Sequence, residues 1–207
     1  MPRPVLTAQD LEKIPEDGEI AIAPDTLITP LARDTAEQRQ IQIRIEQPKA
    51  ESTSSNQTRT IALGADHGGY ALKEQLKNYL REWGYAPLDL GTDSTDPVDY
   101  PDFAELVANA VVRGEAWRGV VVDSAGIGSA IAANKVPGAR AALCYDRASA
   151  KNSREHNDAN ILTLGAKTIS EETAREILAQ WLATNFAGGR HQKRIDKIQA
   201  IESRHQK

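Results

Sequence analysis

One cysteine in 207 residues excludes an intrachain disulfide framework and any Cys-x-x-Cys metal site. A reducing compartment, the cytoplasm, is the setting that fits. No run approaches the ~18 consecutive apolar residues of a membrane span, so no membrane partner is expected. The opening MPRPVLTAQDLEKIPEDG has no apolar core of a secretory signal. Basic residues are not in excess. The 25 Lys+Arg against 29 Asp+Glu leave a formal charge of −4, which argues against a nucleic-acid partner while leaving room for a local anion site. With only 10 Pro and no glycine period the chain is not fibrous. Core-forming material is plentiful: 40% of the residues are hydrophobic, enough for one domain with an appendage or for two small ones.

The chain divides at QPKAESTSSNQTR, residues 47–59, a polar Ser/Thr-rich stretch without apolar period that reads as a linker. Residues 1–46 form an N-terminal extension with a β-α-β pattern. GEIAIA alternates like a strand, Thr29-Pro30 is an N-cap followed by proline at the first helical position, and Ile41, Ile43 and Ile45 alternate again. So small a unit buries little by itself and is expected to dock on its own body, a second copy or another protein. Residues 60–207 alternate regularly between short apolar runs and amphipathic segments. TIALGA, APLDLG, GVVVD, ARAALC and ILTLG read as strands, with helices between them and two after the last. The predicted fold is α/β, a doubly wound, Rossmann-like parallel five-stranded sheet with helices on both faces. No internal repeat is evident.

Ligands of such sheets bind beyond the carboxyl ends of the strands. The first strand ends in Asp66-His67-Gly68-Gly69, either a proton-transfer pair or a capping aspartate beside a solvated histidine. The third ends in Asp123-Ser124-Ala125-Gly126-Ile127-Gly128. Its glycines permit close backbone approach to a negatively charged ligand, but they do not follow the G-x-G-x-x-G dinucleotide pattern. His156 and Asn157 stand in a polar turn before the last strand, and Arg190 and Arg194 lie one helical turn apart, a spacing that suits a phosphate as well as a solvated basic face. Tyr100 precedes a helix, lining a pocket mouth or merely leading in. The four histidines show no paired metal-ligand spacing, and Cys144 reads as a buried small residue.

GADHGGYALKEQL, VDYPDFAELVANAV, GIGSAIAANKVPGARAALC, SREHNDANILTLGAK and GGRHQKRIDKIQAIE together resemble the type B ribose-5-phosphate isomerase and galactose-6-phosphate isomerase subunit family, in order from about Thr60 to Glu202. The resemblance implies an aldose–ketose isomerase of phosphorylated sugars, without metal or cofactor. It also implies a homodimer or tetramer whose active sites are shared between chains. By motif, Asp66 and His156 assist ring opening, with His156 and Asn157 offered by the neighbouring subunit. His67, Arg190 and Arg194 hold the phosphate, with Lys167 where relatives often carry a further arginine. Tyr100 lines the sugar site, and backbone N–H groups at Gly126 and Gly128 stabilise the enediolate.

The departure from the pattern is at the base. Where the family carries Cys followed by Gly, Thr and Gly, this chain has Asp123-Ser124-Ala125-Gly126, and a second branch's carboxylate position is Ser129. The expectation is that Asp123 replaces the cysteine as the carbon base, with Ser124 near the missing hydroxyl. The alternative is a non-catalytic sugar-phosphate-binding or partner subunit of a hetero-oligomeric isomerase or microcompartment. The run IAIAPDTLITPLARDTAEQRQIQI is similar to N-terminal segments of some bacterial microcompartment enzymes. That likeness makes residues 1–46 an assembly or encapsulation segment, with shell or cargo proteins as partners.

Overall fold

The computed structural model describes residues 4–22, 26–45 and 59–206, and the chain divides into two compact units, Met1–Asn56 and Gln57–Lys207. Apart from Arg59, the expected linker lies outside the described residues.

The first unit contains two β-α-β passes rather than the single one that alternation predicts. These are β1 (Val5–Leu6), α1 (Ala8–Leu11) and β2 (Glu19–Ile22), then β3 (Leu27–Ile28), α2 (Pro30–Gln38) and β4 (Gln42–Ile45). β1 pairs in parallel with β3, and β2 with β4. The passes repeat each other in detail. Thr7 and Thr29 are both N-caps, and Asp17 and Gln40, each two residues before a strand, both take positive φ (61° and 54°). The Arg39 guanidinium joins the halves by donating to the Leu11 and Ile14 carbonyls at 2.7 and 2.8 Å. The repeat is invisible in the sequence because β1 and β3 are two residues long, too short to show a period. Leu6, Leu11, Ile22, Ala32, Ala36 and Ile41 form the core of this unit.

The second unit is the expected sheet. Its elements are β5 (Thr60–Ala65), α3 (Tyr70–Glu82), β6 (Ala86–Asp89), α4 (Tyr100–Val112), β7 (Arg118–Asp123), α5 (Ile127–Ala133), β8 (Ala141–Leu143), α6 (Arg147–Glu155), β9 (Ile161–Gly165), α7 (Glu171–Ala183) and α8 (Gln192–His205). All neighbours pair in parallel, in the order β6-β5-β7-β9-β8. Side chains alternate between the sheet's faces, so two cores form. Ile61, Leu63, Val120, Val122, Leu162 and Leu164 meet Leu76 and Leu80 of α3 and Ile177, Leu178 and Trp181 of α7. Ala62, Val121 and Ile161 meet Ala104, Val107, Ala108 and Val111 of α4 and Ala133 of α5. Burial on both faces is why these strands read as unbroken apolar runs. On α8 only Ile195 of the predicted stripe is buried; Ile198 and Ile201 are exposed. They line a groove of about 780 Å³ with Arg140, Ala142 and Asn157. Among the described residues no helix is long and apolar enough to cross a membrane.

Candidate active site

The ends of β5, β7 and β9 gather one group of the expected site residues. Asp66 follows β5 directly and is 6% exposed, its Oδ1 accepting the Gly69 N–H at 2.9 Å. Glycine is required at 69: a β-carbon there would stand 2.1 Å from the Val122 carbonyl oxygen, so the start of α3 presses against β7. The same construction at Gly68 would meet Ser124 Oγ at 2.4 Å and Asp66 Oδ1 at 3.3 Å, so hydroxyl and carboxylate share the space over that residue. His67 is exposed, with Nδ1 3.2 Å from the Val98 backbone nitrogen. The Tyr100 ring lies over Gly128, where a β-carbon would come within 2.5 Å of it. Lys167 follows β9, its N–H donating to the Ser124 carbonyl at 3.0 Å.

Asp123 ends β7 beside Asp66, since Ala65 and Val122 are register partners. It is 4% exposed, and both of its oxygens are engaged. Oδ1 accepts the N–H groups of Ala125, at 2.7 Å, and Gly126. Oδ2 accepts the Ser129 N–H at 3.0 Å and the Ser129 hydroxyl. This carboxylate braces the turn from β7 into α5, a turn that passes through Gly126 at φ 78°. One expectation is thereby corrected: the Gly126 N–H is not offered to an enediolate, because Asp123 takes it. Ser129, fully buried, is the brace's far anchor and was not legible as such, since nothing in Gly-Ser-Ala marks which way its hydroxyl points.

His156, Asn157, Arg190 and Arg194 lie elsewhere. A helix of a parallel sheet runs back against its strands, so the end of α6 stands at the amino edge of β9. There the Asn160 carbonyl accepts the Gly119 N–H, whereas Asp123 pairs with Gly165 at the other edge. Five residues of strand, roughly 16 Å, separate the two groups. The structure does not bring His67 together with Arg190 and Arg194, nor Asp66 with His156, within one chain. In this second group the rings of His156 and His191 stack with centroids 4.3 Å apart, and the Asn152 amide nitrogen lies 2.9 Å from His156 Nδ1. Desolvation, then the neighbouring His156 and Arg190, hold His191 below the usual imidazole range. The Ala187 N–H donates to the Glu155 carbonyl at 3.0 Å, tying the segment before Arg190 to the end of α6. Cys144 is buried beneath the edge of β8, and burial pushes its thiol up. Among the described residues no three His, Cys, Asp or Glu side chains are grouped to hold a metal ion.

A sequence model of the family described as Ribose/Galactose Isomerase matches residues 61–198. The chain belongs to this isomerase family. Its similarity to ribose-5-phosphate isomerase B of Escherichia coli is 44% identity over 144 residues, 70% of this chain and 97% of that protein. With the D-erythrulose-4-phosphate isomerase of Pectobacterium atrosepticum it shares 40% over 141 residues, 67% and 92% of the two chains. The structure of ribose-5-phosphate isomerase B from Clostridium thermocellum superposes with a TM-score of 0.70 at 48% identity, covering 71% of this chain and 99% of that one. The family match starts one residue into β5, so the isomerase part is the second unit and the first lies outside the match.

Proposed function

We propose that the chain converts a phosphorylated aldose into its ketose through an enediolate, in a site completed by two copies. The observation that carries this is the split of the site residues between opposite edges of one sheet. Asp66, His67, Tyr100 and Ser124 line one edge and His156, Asn157, Arg190 and Arg194 the other, so a second copy set edge against edge supplies what each lacks. In such a site His156 of the partner subunit and Asp66 open the sugar ring. The arginines grip the phosphate with charge-assisted hydrogen bonds, aided by His67 and Lys167, and Tyr100 over Gly128 lines the sugar. Asp66 and Asp123 end adjacent strands, and the proton at carbon goes to one of these two carboxylates. Relatives that act on ribose 5-phosphate and on D-erythrulose 4-phosphate bracket the substrate class; ribose 5-phosphate/ribulose 5-phosphate or a related pentose or hexose phosphate fits.

Complementation tests the shared site. Asp66→Asn and His156→Asn are each expected to be inactive, whereas mixing them equally regenerates about a quarter of wild-type activity, because half of the dimers then hold one intact site. No recovery on mixing refutes the two-copy site. Tight sugar-phosphate binding without turnover of any pentose or hexose phosphate would instead favour a partner-subunit role.

For residues 1–46 we propose an assembly role, inside a microcompartment or in the cytoplasm at large. It is supported by the unit's own core and by Val5, Leu27 and Leu31, about half exposed or more. Deleting residues 1–58 is then expected to leave isomerase activity intact and to abolish co-sedimentation with shell proteins; loss of activity overturns the assignment.

A further inference from the structure

We propose that Asp123 is a positioning residue and that Asp66, one strand away, moves the proton at carbon. This rests on the isomerase reading and sharpens it. Asp123 stands where the family resemblance implies the base, but its two oxygens accept four hydrogen bonds, from Ala125, Gly126 and both donors of Ser129. To take a proton from a substrate it has to release one of these donors, none of which makes a second hydrogen bond among the described residues. Its work is to hold residues 124–129, keeping Ser124 over Gly68 and Gly128 under Tyr100.

Asp66 has what Asp123 lacks. One oxygen is fixed by the Gly69 N–H, while Oδ2 makes no hydrogen bond among the described residues. The groups about it are those of a sugar site: the Ser124 hydroxyl across Gly68, and His67 and Lys167 at the same sheet edge. For an aldose the step is balanced as follows. The C2–H bond breaks and its proton passes to Asp66. The electron pair forms the C1–C2 double bond, and O1 takes the charge of the enediolate. The Asp66 carboxyl proton exchanges with water, and Asp66 then delivers a proton to C1 as the O2 hydroxyl proton moves to O1, leaving the ketose and the original carboxylate.

Ring opening and carbon deprotonation can be separated with a four-carbon probe. In D-erythrulose 4-phosphate the terminal oxygen carries the phosphate, so no furanose forms and no ring need open. Hydrogen exchange in D2O is followed by NMR at C1 of this compound and at C2 of D-ribose 5-phosphate. Asp66→Asn, which keeps an acceptor for Gly69, is expected to lose exchange on both by about a thousandfold or more at an unchanged melting temperature. Asp123→Asn is expected to melt earlier but to keep exchange, reduced about ten- to a hundredfold by misplacement. If Asp123→Asn does not fold, Ser129→Ala decides. Removing a donor makes a carboxylate a stronger base, so the acid limb of the rate profile moves to higher pH if Asp123 is the base and stays in place if it is not. Exchange retained by Asp66→Asn on the four-carbon phosphate, or a moved acid limb in Ser129→Ala, overturns the assignment. Absence of exchange by the wild type on every sugar phosphate tried overturns the isomerase reading itself.

Discussion

Replacing Arg118 by methionine tests what holds Arg190 and Arg194, the phosphate ligands proposed above, in place. Arg118 opens β7, is 3% exposed, and lies with its guanidinium 4.0 Å from the Trp117 ring centroid and 5.1 Å from that of Trp181. It donates to the carbonyls of Trp181 at 2.7 Å, Leu182 at 3.1 Å and Thr184 at 3.0 Å, satisfying the last turn of α7. Desolvation, then the nearby Arg154 charge, push it below the ordinary arginine range. Methionine fills a similar volume but leaves the Leu182 carbonyl without its donor, at about 1–3 kcal/mol where water is excluded. It also takes one of two donors from the Trp181 and Thr184 carbonyls, which keep the Thr184 N–H at 3.4 Å and Arg154 Nε at 3.3 Å, at about 1 kcal/mol each. Relief from burying a charge offsets part of this, and the expected net loss is about 2 kcal/mol. For a unit of this size that is roughly 4–8 °C in melting temperature. Arg154 donates to the same Thr184 carbonyl at 3.3 Å, and the chain runs from there to Arg190. The variant is therefore also expected to raise KM for the sugar phosphate more than it lowers kcat. Thermal scans and steady-state kinetics on the full chain read both effects. Arg118→Lys keeps the charge without the fork and is expected to fall between. A methionine variant within about 0.5 kcal/mol of wild type, the range of an ordinary surface change, refutes the capping argument.

Two further outcomes follow from local geometry. Gly126→Ala puts a β-carbon at φ 78° and 2.5 Å from Leu143 Cδ1; the strain and overlap are expected to destabilise by about 2–4 kcal/mol, and an unchanged unfolding midpoint in urea contradicts this. His191 binds its proton less readily folded than unfolded, so the unfolded state holds more protons and stability falls as pH drops through the ordinary imidazole range; an NMR titration in which His191 protonates at or above that range, or in which His156→Ala fails to raise it, refutes this account.

The sheet was legible because its strands are covered on both faces. TIALGA and ILTLG coincide with β5 and β9, and GVVVD misses only the first residue of β7. The first unit was half legible for the converse reason: β1 and β3 offer two residues each, so only β2, α2 and β4 carried a period. The edges on which the site residues stand follow from chain order once the sheet is parallel, because a residue just after a strand and one just before a strand lie at opposite ends of it. Asp66 and His156 are such a pair, and their separation was therefore implicit in the sequence.

The role of Asp123 was not implicit in the same way. Sequence position says which side chain replaces the sulfur, whereas the role depends on what the new atoms can accept. A thiolate offers one diffuse acceptor and remains a nucleophile when an N–H points at it. A carboxylate offers two directed oxygens, and aspartate at the mouth of a turn engages backbone N–H groups two and three residues ahead, here those of Ala125 and Gly126. With Ser129 six positions on, the second oxygen is occupied as well. The substitution that looks like one base for another thus converts the position from one that reacts to one that shapes the turn, and moves the demand for a base to the nearest carboxylate with an unengaged oxygen, Asp66.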